Sequence, residues 1–438
     1  MGLFSNIGKI PELTRRIIVT ALLLAVYRIG VFVPTPGIDG DALSAFFQSA
    51  KGTLLDVATM FTGGALENFS IFALGIMPYI SASIIIQLLT SVVPKLEALK
   101  KEGESGRQKI TQWTRYLTVI LSIIQGFMIG VGLESMSGPG GEQIVLVGGW
   151  SFRIMTVITL TAGAVFVMWL GEQITERGIG NGISLIIFAG IVARLPAALG
   201  NTVNLARSGE MNVLILIVLL IFVIAVIAFI VFFESGQRRI PIQYPKRVVG
   251  RRMMGGGTQH LPLKVNSAGV IPPIFASSII IFPATIANFI DIPIMQTVAQ
   301  SLNPGGLLYN LFFIAFVIFF TYFYTAIQFN PKEVAENLKK NGGFVPGIRP
   351  GANTADHIDK ILSRLTLWGA LFLATICVLP SVLVWKLNVP FYFGGTALLI
   401  VVGVALDTAQ QAQSHMLARN YDGLMKKSKG KGRGGTHM

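Results

Sequence analysis

The chain has 438 residues, of which 52% are hydrophobic and only 13% charged, with a mean hydropathy of +0.66. Soluble domains carry about twice that charged share, so the composition excludes a string of soluble domains and indicates a polytopic membrane protein. The formal net charge is +14, and its meaning depends on where the bases fall.

Met1 to Arg16 carries Lys9, Arg15 and Arg16 and reads as a membrane-surface segment. The apolar run after it lacks a small-residue cleavage site and continues at spanning length, so it reads as a span rather than a cleavable signal peptide. Apolar runs near 17–33, 69–93, 117–133, 154–171, 183–199, 213–233, 268–290, 307–329, 365–385 and 391–407 predict an all-α fold of ten transmembrane helices. Ten crossings return both termini to one side. The N-tail, the loops at 94–116, 172–182, 234–267 and 330–364, and the C-tail together hold twenty-nine of the 35 Lys and Arg residues. By the positive-inside rule that face is cytoplasmic. The net charge is therefore mostly topology and needs no nucleic-acid partner.

The second span, Phe69 to Val93, organises the rest. It is long enough to cross a bilayer, yet Pro78 interrupts it and Ser81, Ser83, Gln87 and Thr90 add polar groups that lipid would leave unsatisfied. It reads as a wall of a protein-lined or water-filled path. Before it, Gly52 to Asn68 is amphipathic and glycine-broken, too short to span.

Ten spans divide into inverted halves of five, 1–200 and 201–438, which sets the second span opposite the seventh. The seventh, Asn266 to Ile290, is interrupted by Pro272, Pro273 and Pro283 and carries Ser277 and Ser278. Two broken, serine-bearing spans at corresponding places point to a transport path between the halves. Gln87, Gln125 and Asn266 are the uncharged polar residues expected between helices, either as glue or as a seam that opens. Gly126 and Gly130 form a GxxxG close-packing motif.

Chemistry is otherwise sparse. Arg28, Glu134, Glu172 and Asp407 fall near span ends, so an ion-coupled carrier of small solutes lacks its mid-membrane group. No P-loop is present, and the glycine motif at 178–182 lies between two spans rather than after a strand. The four histidines and the lone Cys377 show no metal spacing, and no catalytic pair falls inside the spans. The expectation is no enzyme, no metal and no cofactor. Ile76, Ile80 and Ile84 recur along one helix face, as do Ile183 and Ile187. They suit plain packing, or an apolar constriction that gates by dewetting, and periodicity does not choose. Two loops, 234–267 and 330–364, exceed what connection needs and carry many bases, which fit either topology or a docking surface.

Several runs resemble one family: FTGGALENFSIFALGIMPYISASIIIQLL, KKEGESGRQKITQWTRY, MWLGEQITERGIGNGIS, ESGQRRI, TQHLPLKVNSAGVIPPIFASSIIIFPATIA, FNPKEVAENLKKNGGFVPGIRPG and VPFYFGGTALLIVV. In this order, from about Arg15 to Asp407, the chain is similar to bacterial SecY proteins, the channel subunits of the Sec translocase. The resemblance implies a protein-conducting channel in the bacterial inner membrane, two pseudosymmetric halves hinged between spans five and six, and cytoplasmic termini. It implies a plug that includes Leu54, Leu55, Val57, Met60, Phe61, Gly63, Gly64 and Leu66, and a pore ring of Ile76, Ile80, Ile183, Ile187, Ile274 and Ile400. It implies a lateral gate between spans two/three and seven/eight, where Ser81, Gln87, Gln125, Asn266, Ser277, Ser278 and Phe282 are placed. Arg238, Arg239, Lys246, Arg247, Arg251, Arg252 and Arg349 match positions that dock the ribosome or the SecA motor. The small subunits SecE and SecG, signal sequences, nascent chains and the lipid bilayer are the other implied partners.

Overall fold

In the computed structural model the described residues are 11–49, 54–136, 143–209, 213–245, 247–249, 252–254, 257–289, 306–387 and 395–431. Each of the ten expected apolar runs overlaps a helix, but the helices begin and end for local reasons that hydropathy does not show. Helix α1 spans Pro11–Gly30. Two short helices follow, α2 (Gly40–Ser49) and α3 (Leu54–Thr62). Residues 63–76 then run as turns, although Phe69, Phe72, Ala73, Leu74 and Ile76 among them are buried. Irregular backbone at such depth is tolerated only when protein surrounds it.

Helix α4 (Met77–Val92) has Pro78 in its first turn and meets α5 (Pro94–Lys101) at a bend of 98°. At 16 residues α4 is about 24 Å long, short of the roughly 30 Å hydrocarbon thickness. The expected proline-interrupted second span is thus a buried turn region followed by a short helix, and Pro78 lies in the first turn of that helix instead of kinking it. Helices α6 (Glu104–Ser135), α7 (Trp150–Arg177) and α8 (Gly182–Arg207) complete the first half. Gly126 and Gly130 of α6 face Val157 and Thr156 of α7, the close approach that GxxxG predicts. The 178–182 glycine motif is the tight turn into α8, capped by Asn181, whose Oδ1 accepts from the N–H groups of Ile183 and Ser184.

Helix α9 (Val213–Glu234) is apolar all round and mostly exposed, as a lipid-facing crossing should be. A hairpin follows within the long basic loop: β1 (Gln237–Gln243) pairs antiparallel with β4 (Thr258–Lys264), while β2 (Arg247–Val249) pairs with β3 (Arg252–Met254). Helix α10 (Ile271–Phe289) carries Pro272 and Pro273 in its first turn, so these prolines too open a helix. Then come α11 (Leu307–Gln328), the short α12 (Pro331–Lys340), and two long helices, α13 (Ala352–Leu387) and α14 (Gly395–Lys431). Seven of the described helices are long and apolar enough to cross a membrane, eight if the bent α4–α5 pair counts as one span. Helix α1 exceeds two charges, with Arg15, Arg16 and Arg28, and the part of α10 with described side chains is short.

In the first half α6 packs on α4 and α7, and α7 on α1 and α8; in the second, α11 packs on α10 and α13, and α14 on α9 and α13. The two sets meet along two lines. Helix α10 lies against α4 and α6, and α14 lies against α8. A single apolar cluster runs through both sets. A second, smaller one (Ile240, Leu263, Val345 and Ile358) lies among the basic loops.

Candidate functional site: a buried isoleucine cluster, a plug and a seam

Helices α4 and α10 begin in nine-residue segments that agree at five positions. Gly75-Ile-Met-Pro78-Tyr-Ile80-Ser-Ala82-Ser83 matches Gly269-Val-Ile-Pro272-Pro-Ile274-Phe-Ala276-Ser277 at glycine, proline, isoleucine, alanine and serine. Both glycines adopt the left-handed backbone that glycine tolerates best, at φ 54° and 64°. Each turn delivers its proline into the first helical turn and its isoleucine three residues further on from the helix start. The match is readable in the sequence and is a sharper signal than the proline count. Helix α4 leads from the plug side toward the basic α5, whereas α10 leads away from the basic hairpin, so the two enter from opposite faces. They pack on each other, and Ser278 Oγ lies 3.9 Å from Met77 Sδ across the contact.

Ile76, Ile80, Ile187, Ile274 and Ile400 are all buried, none more than 4% exposed, and all belong to the large apolar cluster. Ile183 is half-buried in the first turn of α8 and packs against that cluster. The side chains come from four elements: the start of α4, α8, α10 and α14. Such a set offers no hydrogen bonds and no fixed charge, which makes it a costly surrounding for a hydrated ion.

Part of the plug segment shares the cluster, and the side chains of Leu54 and Val57 lie outside the described residues. Phe61 and Leu66 are buried beside Ala58 and Ala65, and Met60 packs at its margin. Helix α3, which holds Leu54, Leu55 and Val57, ends at Thr62, four residues before the expected limit at Leu66. Gly63 and Gly64 stop it with positive φ of 65° and 91°, and the Gly64 N–H donates back to the Thr59 carbonyl, a glycine C-cap of the usual kind. Helix α3 lies between α8 and α10, so it touches both halves.

The seam residues divide. Ser277 and Ser278 are buried in α10, each returning its hydroxyl to the Ile274 carbonyl. Serines that bond backward this way need no partner across the contact. Ser81 and Gln87 are half-buried on α4, and Gln87 Nε2 donates to Ser83 Oγ at 3.1 Å while its Oε1 is buried and unpaired. Gln125 is half-buried on α6. Phe282 lies in the α10 backbone, and its side chain is outside the described residues. Asn266 departs from expectation. It ties off the turn before α10 through Gly269, and its Nδ2 donates to Glu234 Oε1 at 2.6 Å, at the end of α9. A short polar side chain beside a glycine turn competes for local backbone groups, so Asn266 ties off its own turn and reaches α9 from there.

On the basic face the two long loops fold together. Gln243 and Phe344 exchange backbone hydrogen bonds of 2.9 and 3.0 Å, and Ile240, Leu263, Val345 and Ile358 form the shared core beneath. Arg238, Arg239 and Arg349 stand exposed on this one platform. Arg247 and Arg252 lie in β2 and β3 with undescribed side chains, and Lys246 and Arg251 lie outside the described residues. Lys264 donates to Gln410 Oε1, and the Gly180 N–H donates to Gln411 Oε1, so α14 buttresses both the hairpin and the α7–α8 turn.

A family model for SecY matches residues 70–409. The protein translocase subunit SecY of Pseudomonas aeruginosa is 53% identical over 431 residues, covering 98% of this chain and 96% of its own length. The same subunit from Escherichia coli K12 is also 53% identical, covering 98% and 97%. Among solved structures, one of a protein conducting channel superposes with a TM-score of 0.68 at 19% identity, covering 95% of this chain and 98% of its own. A study of the SecY plug domain, described as stabilising the closed state of the translocation channel and maintaining a membrane seal, gives 0.65 at 19%, covering 95% and 97%. Sec61 in the canine ribosome–channel complex gives 0.65 at 18%, again covering 95% and 97%. With near-complete coverage by relatives at this identity, and with the matched region spanning α4 to α14, the chain belongs to the SecY family.

Proposed function

We propose that this chain is the membrane channel through which unfolded secretory polypeptides cross the bilayer, and that it releases apolar segments sideways into lipid. The observation that carries the reading is the meeting of α4 and α10, two helices with similar starting segments and opposite entry, beside a buried isoleucine cluster covered by α3. Support also comes from the relatives, which are translocase subunits, and from a structural neighbour that is a protein-conducting channel.

The mechanism follows from apolarity. At rest, the isoleucines and the plug form one dry core, costly for any hydrated ion to enter. A signal sequence brings an apolar run of roughly 7 to 15 residues. It inserts where α4 and α6 meet α10, replacing contacts that are mostly apolar, with Ser278 to Met77 a weak exception. The plug then leaves, and isoleucine side chains pack around a moving chain of any sequence. Segments apolar enough for lipid exit through the parted seam, the gate between spans two/three and seven/eight.

In this reading the chain has ten transmembrane helices in two inverted halves, 1–200 and 201–438, hinged between spans five and six. It lies in the bacterial inner membrane with cytoplasmic termini, assembles with SecE and SecG, and uses the platform of Arg238, Arg239 and Arg349 to dock SecA or the ribosome. The ribosome-bound Sec61 neighbour supports the last point. The test is ATP-driven import of a preprotein into proteoliposomes holding this chain with SecE, SecG and SecA. Protease-protected preprotein is expected. Its absence, with all subunits assembled and SecA bound, rejects the reading.

A further inference from the structure

The C-terminal end of α3 is held from outside by two residues of α1. Tyr27, which is fully buried, donates its hydroxyl to the Thr62 carbonyl at 2.9 Å, and Arg28 Nη1 donates to the Gly63 carbonyl at 2.9 Å. These carbonyls lie at the negative end of the helix, where a helix leaves acceptors unpaired and where a cation is favoured. A third tie lies on the other side: Arg194 of α8 pairs with Glu67, near the end of the plug segment and past α3, Nη2 to Oε2 at 3.1 Å. Between these ties, Gly63 and Gly190 of α8 meet backbone to backbone. A Cβ on Gly63 would lie 2.6 Å from the Gly190 Cα.

We propose that Tyr27 and Arg28 are positioning residues that latch the plug, and that their release from the Thr62 and Gly63 carbonyls accompanies channel opening. The inference rests on the plug reading of 52–68 and deepens it by naming what fastens the segment. Tyr27 is itself fixed, stacked on Phe72 at a ring separation of 6.0 Å, so its hydroxyl is held at a constant place. Arg28 lies over the Phe32 ring, 5.3 Å from its centroid, which braces the guanidinium toward α3. The latch grips main-chain carbonyls only. It holds a shape, and it breaks without leaving the plug an unpaired charge. The glycine contact lets the plug lie flush against α8 and slide away from it without interlocked side chains.

The experiment measures resting ion conductance of the full chain with its partner subunits in planar bilayers, with no substrate added. Arg28→Ala removes a charge-assisted hydrogen bond and is expected to raise resting conductance about tenfold or more. Arg28→Lys, which keeps the cation, returns toward wild type. Tyr27→Phe removes one oxygen atom, preserves the ring stack and carries the test if Arg28→Ala fails to accumulate; it raises conductance by a smaller factor. Removing residues 54–66 should raise conductance by itself, and adding Arg28→Ala to that deletion should then change nothing. If the deletion leaves conductance unchanged, the plug reading fails. If the deletion raises conductance but Arg28→Ala and Tyr27→Phe match wild type, the latch is overturned. It is overturned equally if Arg28→Ala acts as strongly without the plug as with it.

Discussion

Truncating Ile80 and Ile274 to Ala tests whether the buried isoleucines seal the resting channel. Both are at most 4% exposed and both pack in the cluster that contains the plug side chains. Burial of this kind makes Ile→Ala cost about 2 to 5 kcal/mol of packing. Only the part lost on opening affects gating, because contacts that survive in the open state cancel. If half of each residue's contacts are specific to the closed state, each truncation weakens closure by about 1 to 2.5 kcal/mol. At about 1.4 kcal/mol per factor of ten, one truncation raises the open population about five- to sixtyfold. The two sites share one core, so the pair departs from simple addition. Alanine keeps helix propensity high, so the effect reads packing and not helix stability. Planar-bilayer conductance without substrate measures it, with Ile158→Ala, 64% exposed on α7, as the control. Wild-type conductance for the double variant at normal abundance, or an equal leak from the control, refutes the sealing role.

Other outcomes follow from the basic platform. Reversing Arg238, Arg239 and Arg349 to Glu should weaken SecA or ribosome binding by at least about tenfold, with the loss shrinking at high salt because exposed charges steer association. Unchanged affinity would assign these charges to topology alone. Ile358→Ala deletes a side chain fully buried beneath the joined loops, so it should destabilise the platform locally by about 2 to 5 kcal/mol. Faster proteolysis of the β1–β4 hairpin, with membrane insertion intact, checks it. Asn266→Ala should disturb the entry to α10, since Asn266 alone links Gly269 to Glu234 among the hydrogen bonds at that turn. Reduced import, with resting conductance altered in the same preparation, is the expected result.

The positions of the spans and the pairing of the second with the seventh were legible because long apolar runs and asymmetric bases survive in any reading of the sequence. Helix starts were less so. Pro78, Pro272 and Pro273 read as interruptions because the apolar runs continue upstream of them, and hydropathy does not distinguish a buried turn from a helix. The similar segments at Gly75 and Gly269 would have placed both starts. The hairpin hid behind Pro241 and Pro262, which argue against strands; a two-stranded ladder has only edges, so it accommodates both. Its alternating Ile240, Ile242, Leu261 and Leu263 were the available signal. Helix α12 also announced itself, with Asn330 as cap, Pro331 in the first turn and Glu333 beside it. Asn266 was not legible, because a polar residue near a span end has the same appearance whether it caps a turn or bridges two helices.

The central claim is that α4 and α10 separate to admit a polypeptide. Met77→Cys and Ser278→Cys, in a Cys377→Ser background, place two thiols where Ser278 Oγ and Met77 Sδ lie 3.9 Å apart across this contact. Joining them with a short bifunctional thiol reagent, then driving preprotein import with ATP, measures the claim directly. The account predicts that import stops in proportion to the cross-linked fraction and resumes when a cleavable linker is cut. Normal import through fully cross-linked channels would contradict it.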